Sequence, residues 1–283
     1  MNGKCGYFFW LLLAALLLSN CTKPPKADSS NLKLVITSPE VAEIVYQLQG
    51  EKNIAGVTME CNYPVELQKI FRVGTFGGID MEKVAGLQPD VIFVSGLEQN
   101  FLAAELQKLA FRVEKVYPAS LAEMLRSIGE IAKVIGAEQV GKELTDSLSA
   151  VIEHLRETMP EQRPSIYVEI YGDPIMSVAD DSYVGELVEL AGFDNIFAGL
   201  PRDYSRVSPE AVLAADPDYI LLLYPGMNSE QVESRKGWGQ VSAVLHQHIY
   251  NSEDIDPDLL LRATPRSLEG VKLLRELIEE RNE

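Results

Sequence analysis

Short apolar runs bounded by breaker residues alternate with segments of helical periodicity along almost the whole chain. Runs at 32–36, 54–59, 91–94 and 112–116 are rich in Val, Ile, Leu and Phe and have the length of buried strands. Segments 39–48 and 101–109, lying between them, carry the 3.6-residue pattern of helices facing a sheet. A longer helical stretch follows at 121–135 and 137–159, broken by Gly129 and Gly136. The second of these segments would extend roughly 33 Å at ~1.5 Å per residue, a rigid strut between globular halves. Strands then resume at 165–170, 219–223 and 248–250, with helices at 183–190 and 267–278. The pattern predicts an α/β chain in two lobes.

A repeat links those lobes. Ile79-Asp80-Met81-Glu82-Lys83-Val84-Ala85-Gly86-Leu87-Gln88-Pro89-Asp90 and Val207-Ser208-Pro209-Glu210-Ala211-Val212-Leu213-Ala214-Ala215-Asp216-Pro217-Asp218 share four features at one spacing. Each opens with a helix-capping residue, places a glutamate two positions later, and ends in Pro-Asp before an apolar strand. Proline at 209, just inside the cap, is where a helix tolerates it best. Singly, Glu82 and Glu210 read as acids that complement a helix dipole. As a matched pair, one per lobe, they suggest two symmetric docking points.

The N-terminus changes the picture. Lys4, an apolar run of about a dozen residues and Ser19-Asn20-Cys21 form a secretory layout. At ~1.5 Å per residue the apolar run reaches roughly 18 Å, short of the ~30 Å hydrocarbon core of a bilayer. Leu18-Ser19-Asn20-Cys21 resembles a bacterial lipobox, which implies a lipid-bearing Cys21, although Asn20 stands where Gly, Ala or Ser is usual. The expected organisation is a signal segment at 1–20, a tether at 21–31, a first lobe at 32–118, connecting helices at 119–160 and a second lobe at 161–283. Without Lys4 the chain keeps 24 basic against 42 acidic residues, a net charge of −18, which excludes a nucleic-acid partner. Cys61 then remains as the only thiol, so the fold must stand on its core.

Taken in order, Asn62-Tyr63-Pro64, Val73-Gly74-Thr75-Phe76-Gly77-Gly78, Ala191-Gly192-Phe193-Asp194-Asn195-Ile196-Phe197 and Arg262-Ala263-Thr264-Pro265-Arg266, together with the repeat, resemble the helical-backbone (class III) periplasmic binding proteins of ABC importers. The cobalamin-binding members are most similar. That resemblance implies two Rossmann-like α/β lobes joined by a single long helix, with a ligand cleft between them. It implies a lipid-anchored, exported monomer that delivers a small molecule to membrane-spanning subunits driven by a cytoplasmic ATPase, with Glu82 and Glu210 docking on those subunits. Cobalamin or a related corrinoid is the implied ligand, with a ferric siderophore or haem as the alternative. Tyr63, Phe76, Tyr171 and Tyr204 fall where the family lines its cleft with aromatics, and Asp258 and Arg262 match a polar pair near the cleft floor. Phe76 and Tyr204 replace tryptophans, and Ala191 replaces a cysteine. No resident cofactor is implied.

The residues favour the same chemistry. A large amphipathic ligand needs apolar faces and a few polar anchors, which tyrosine supplies together. Arg262 has the geometry to hold a carboxylate or phosphate, and equally reads as a surface charge beside Pro265. The glycines at 74, 77 and 78 read as positions where backbone approaches a bulky ligand. His154, His246 and His248 all follow residue 118, too few and too one-sided for a bare-metal site shared by the lobes. A tyrosinate from Tyr63 or Tyr204 would suit haem iron, whereas anionic ferric complexes call for arginines such as Arg72, Arg202, Arg206, Arg262 and Arg266. No G-x-S-x-G, G-x-G-x-x-G or H-E-x-x-H occurs, so an enzyme is not expected.

Overall fold

Apolar strands buried on both faces set the centre of each lobe. The computed structural model describes residues 31–280, so the signal segment, Cys21 and nearly all of the tether lie outside the described residues. The first lobe contains β1 (Leu34–Ile36), α1 (Pro39–Gln47), β2 (Ile54–Thr58), β3 (Arg72–Thr75), β4 (Gly78–Ile79), α2 (Met81–Leu87), β5 (Val91–Ser95), α3 (Asn100–Lys108) and β6 (Val113–Val116). The strands form one sheet in the order β4-β3-β2-β1-β5-β6, parallel except for the β3/β4 pair. Because side chains alternate across a strand, Leu34 and Ile36 enter the main core while Val35 enters a second cluster with Val84 and Leu106. Strands covered on both sides read as continuous apolar runs, which is why β1 and β5 stand out in the sequence.

Two helices then lead away from this sheet. In α4 (Leu121–Ile135) the hydroxyl of Ser120 caps the first turn by accepting from the Glu123 amide. Gly136, at φ 76°, ends the helix in the left-handed region that favours glycine, and α5 (Glu138–Glu157) begins two residues later. With 20 residues, α5 is ~30 Å long. The two helices meet at Gly141, where a Cβ would lie 2.5 Å from that of Ala132.

The second lobe runs through β7 (Ser165–Glu169), β8 (Tyr171–Gly172), β9 (Ile175–Val178), α6 (Tyr183–Ala191), β10 (Asp194–Asn195), β11 (Tyr204–Arg206), α7 (Pro209–Ala215), β12 (Tyr219–Leu222), α8 (Ser229–Glu233), α9 (Ser242–Leu245), β13 (Ile249–Tyr250), α10 (Asp258–Leu261) and α11 (Ser267–Glu280). Its parallel sheet has the order β10-β7-β12-β13, and a separate antiparallel sheet has the order β11-β9-β8. The antiparallel sheet was not legible as strands, because its members are two to four residues long and the Asp173-Pro174 turn interrupts their alternation. The main core is continuous from Leu34 and Ile44 through Met124 and Ile152 to Leu187 and Leu274, so both lobes and both connecting helices share it. No helix among the described residues is long and apolar enough to cross a membrane.

Candidate functional site

The repeat fixes the two sheets in matching ways. Asp80 caps α2 by accepting from the amides of Glu82 and Lys83, and Ser208 caps α7 by accepting from Ala211. Both helices end on a left-handed residue, Gln88 at φ 50° and Asp216 at φ 47°. The Pro-Asp aspartates then reach the start of the neighbouring strand. Asp90 accepts the Lys33 amide at 2.8 Å, and Asp218 accepts the Ser165 amide at 3.0 Å. Glu82 and Glu210 sit exposed in the first turns of these helices.

Between the lobes, a cleft of about 330 Å³ opens beyond the carboxyl ends of the strands, the usual place for a ligand in parallel α/β sheets. The first lobe contributes Glu40, Phe76, Glu98, Tyr117 and Pro118, each within a few residues of a strand end. The second contributes Ile170, Tyr183, Tyr204, Leu261 and Ala263. Among the described residues, no lysine or arginine lines this cleft.

Hydrogen bonds hold the first wall in place. The Gln99 carboxamide is buried and accepts from the Ser95 amide at 2.9 Å and the Thr37 hydroxyl at 2.6 Å, while its nitrogen donates to the Phe76 carbonyl at 2.8 Å. Glu60 accepts the Phe76 amide at 2.7 Å. The Phe76 peptide is thus clamped on both sides, and Gln99 ties the ends of β1 and β5 to it. Gly74, at φ 140°, permits the β3/β4 turn: a Cβ there would lie 2.5 Å from the Gly78 carbonyl oxygen. Its close approach is to the chain's own backbone, whereas Gly77 and Gly78 face open space.

Electrostatically the cleft is acidic. Burial raises the Glu40 carboxyl, the Ser38 hydroxyl and a backbone amide pull it down, and Glu98 raises it further while Arg262 opposes. Glu98 is exposed and accepts from the Ser95 hydroxyl. Tyr117 is raised by burial and then by Glu98, Asp203 and Glu40, so its phenol stays protonated. Tyr204 is raised by burial, then by Tyr117, Asp203 and Glu98. Tyr183, also in the lining, places its hydroxyl 2.6 Å from that of buried Ser267.

Of the residues singled out from sequence, the structure brings Phe76 and Tyr204 together in the cleft. Arg262 lies behind it, donating to Glu43 at 2.8 Å and Asn62 at 2.9 Å and pairing with Asp258 at 2.7 Å. Arg266 grips the same glutamate at 2.8 Å and stacks on Tyr63, 3.5 Å from the ring centre. Glu43 is 1 % exposed and belongs to the first lobe, whereas both arginines follow α10, so this network joins the lobes. Tyr171 is 53 % exposed in β8, next to the cleft residue Ile170. Arg72 donates to the Thr58 and Cys61 carbonyls, and Arg202 and Arg206 are exposed. His246 is exposed, and His248 stacks on Tyr219. Burial pushes the Cys61 thiol up to about 11. Sequence reasoning missed Glu40, Glu98, Gln99, Tyr117 and Tyr183. All but Tyr183 follow a strand by a few residues, and that position was the available signal.

The comparisons with known proteins agree with this architecture. Residues 34–255 match the family model described as periplasmic binding protein. An uncharacterized ABC transporter substrate-binding lipoprotein, YvrC of Bacillus subtilis, is 29 % identical, with 98 % of each chain covered. The vitamin B12-binding protein of Vibrio vulnificus is 25 % identical, over 85 % of this chain and 87 % of that one. Among solved structures, the periplasmic haem-binding protein HutB of Vibrio cholerae superposes with a TM-score of 0.78 at 19 % identity, covering 87 % of this chain and 98 % of that one. The vitamin B12-binding protein BtuF of Vibrio cholerae gives 0.72 at 24 % identity, covering 87 % and 96 %. The family match spans the first sheet, both connecting helices and most of the second lobe, and the chain belongs to the periplasmic binding protein family.

Proposed function

We propose that this chain is the substrate-binding protein of an ABC importer, anchored by lipid on Cys21, and that it captures cobalamin or a related corrinoid between its lobes. The carrying observation is the aromatic cleft: Phe76, Tyr117, Tyr183 and Tyr204 line one space, and no base lines it among the described residues. Such a wall suits a flat ligand with apolar faces and hydrogen-bonding edges. Exposed Leu97 and Tyr171 are chain neighbours of the cleft residues Glu98 and Ile170. The likeness to B12-binding proteins at 24–25 % identity supports the same ligand class.

Haem or a ferric siderophore is the second reading, favoured by the superposition on a haem-binding protein. Two features weigh against it. Among the described residues the cleft lining holds no histidine, cysteine or methionine to ligate iron, and Arg262 and Arg266 are committed to Glu43. Equilibrium titration decides between the readings: saturable binding of cyanocobalamin is expected, and binding of haem or a ferric catecholate in its place would overturn the corrinoid assignment.

Delivery follows docking of Glu82 and Glu210 on cationic groups of the importer's membrane subunits. Reversing both charges is expected to abolish uptake while leaving ligand affinity intact, since neither residue lines the cleft. Unchanged uptake would remove the docking role. The shared core and the Glu43 network restrict hinge motion, so lobe closure on ligand is small.

A further inference from the structure

Charge is distributed unevenly around the cleft. Its carboxylates, Glu40 and Glu98, both come from the first lobe, and the facing second-lobe surface is made of Ile170, Tyr183, Tyr204, Leu261 and Ala263. No guanidinium or ammonium group among the described residues lines the space to neutralise them. The nearest arginine behind the wall, Arg262, is itself shared among Glu43, Asp258 and Asn62. Arg202 and Arg206, either side of Tyr204, are exposed and absent from the lining.

A second observation points to a ligand at this wall. Ser38, wholly buried just beyond β1, lends its hydroxyl to the Glu40 carboxyl from behind and pulls its proton affinity down. On the second lobe, Thr264 follows the lining residue Ala263, is wholly buried, and leaves its hydroxyl without a partner. Buried hydroxyls are normally satisfied. The Thr264 hydroxyl is an exception next to the second-lobe lining, and the facing carboxylates of the first lobe meet no cation within the lining.

We infer that Glu40 and Glu98 form a charge filter, admitting neutral or cationic ligands that turn amide or amine N–H groups toward the first lobe and rejecting polyanionic ones. The inference rests on the reading of the cleft as the ligand site. Glu40, half-buried, supplies the stronger interaction because a partly desolvated carboxylate is less screened. Exposed Glu98 acts at the mouth. A donor edge reaching Glu40 would relieve the repulsion between the two carboxylates. The dianionic edge of a haem, or the trianionic surface of a ferric tricatecholate, would instead add to it. Uncompensated like charge at an interface acts mainly by excluding the wrong partner.

The test titrates the full chain and its E40Q, E98Q and E40Q/E98Q variants with five probes at one ionic strength. These are monocationic aquacobalamin, monocationic ferrioxamine B, neutral cyanocobalamin, dianionic haem and a trianionic ferric tricatecholate. The unaltered chain is expected to prefer cations and neutral ligands to anions, and the double variant to narrow that preference on the order of tenfold, with Glu40 carrying more of it. Far-ultraviolet circular dichroism controls for folding, and either single variant serves if the double one does not fold. Cobalamin binding with a preference unmoved by the glutamines would overturn the filter and leave the corrinoid reading standing. Binding of ferrioxamine B without either cobalamin, weakened in E40Q, would overturn the corrinoid reading and uphold the filter. Haem or the catecholate bound at least as tightly as the other probes, or no binding of any probe, would overturn both.

Discussion

The two lobes share a frame and differ in what they present to the cleft. Each uses a capped seven-residue helix, a left-handed terminator and a Pro-Asp aspartate that pins the start of a strand. Yet the first lobe builds a single six-stranded sheet and presents two carboxylates beside its rings, whereas the second divides its strands between two sheets and presents rings and aliphatic groups without a charge. Their buried carboxylates also diverge. Glu43 in the first lobe holds two arginines delivered from beyond α10, while Glu169 in the second is satisfied locally by Arg235, Tyr167 and Tyr224. A repeated scaffold therefore preserves the backbone solution and leaves the strand-end loops free to specialise.

The sharpest way to break this comparison is to remove each buried carboxylate. Glu43→Ala strands Arg266, 7 % exposed at the side chain, leaves Arg262 with Asp258 as its remaining carboxylate, and is expected to cost roughly 3–5 kcal/mol in urea unfolding. Glu169→Ala strands one arginine and should fall at or below the lower end of that range, roughly 3 kcal/mol, with no effect on contacts between the lobes. Equal costs together with equal loosening of the lobes in small-angle scattering would contradict the division of roles. Next in size are the caps. Asp80→Ala and Ser208→Ala should each cost about 1 kcal/mol, read by the same unfolding measurement, and a large asymmetry between them would break the equivalence of the repeats.

The smallest effect concerns Glu40. Its folded-state pKa lies above the ordinary 4.5, so the folded state binds the proton more tightly than the unfolded chain does. The contribution favouring the fold is complete below that value and is lost as pH rises through the folded pKa. Glu40→Gln should therefore stabilise the ligand-free protein more at neutral pH than below pH 4.5. A gain of equal size at both pH values would show that the carboxylate is not under electrostatic stress.

Much of the scaffold was legible because buried parallel strands leave uninterrupted runs such as Val91 to Val94, and because the repeat carries its own caps. The long helix was marked by Gly136 at one end and Pro160 beyond the other. The site was legible only in part. Phe76 and Tyr204 line the cleft, and the resemblance had pointed to both. Glu40 and Glu98 carry no motif: a glutamate in the first turn of a helix looks like dipole compensation until the opposite lobe is in place. Arg262 read as either an anchor or a surface charge because its partner Glu43 lies 219 residues earlier, a separation no local pattern encodes. Gln99 was invisible for the same reason, since two of its three hydrogen bonds, to Thr37 and Phe76, reach segments that only the folded sheet brings together.

The most direct test of capture between the lobes is equilibrium titration of cyanocobalamin into the full chain and into its Tyr204→Ala variant. Saturable one-to-one binding is expected, weakened roughly tenfold or more when the ring is removed. Absence of binding, or an affinity that Tyr204→Ala leaves unchanged, would contradict the account.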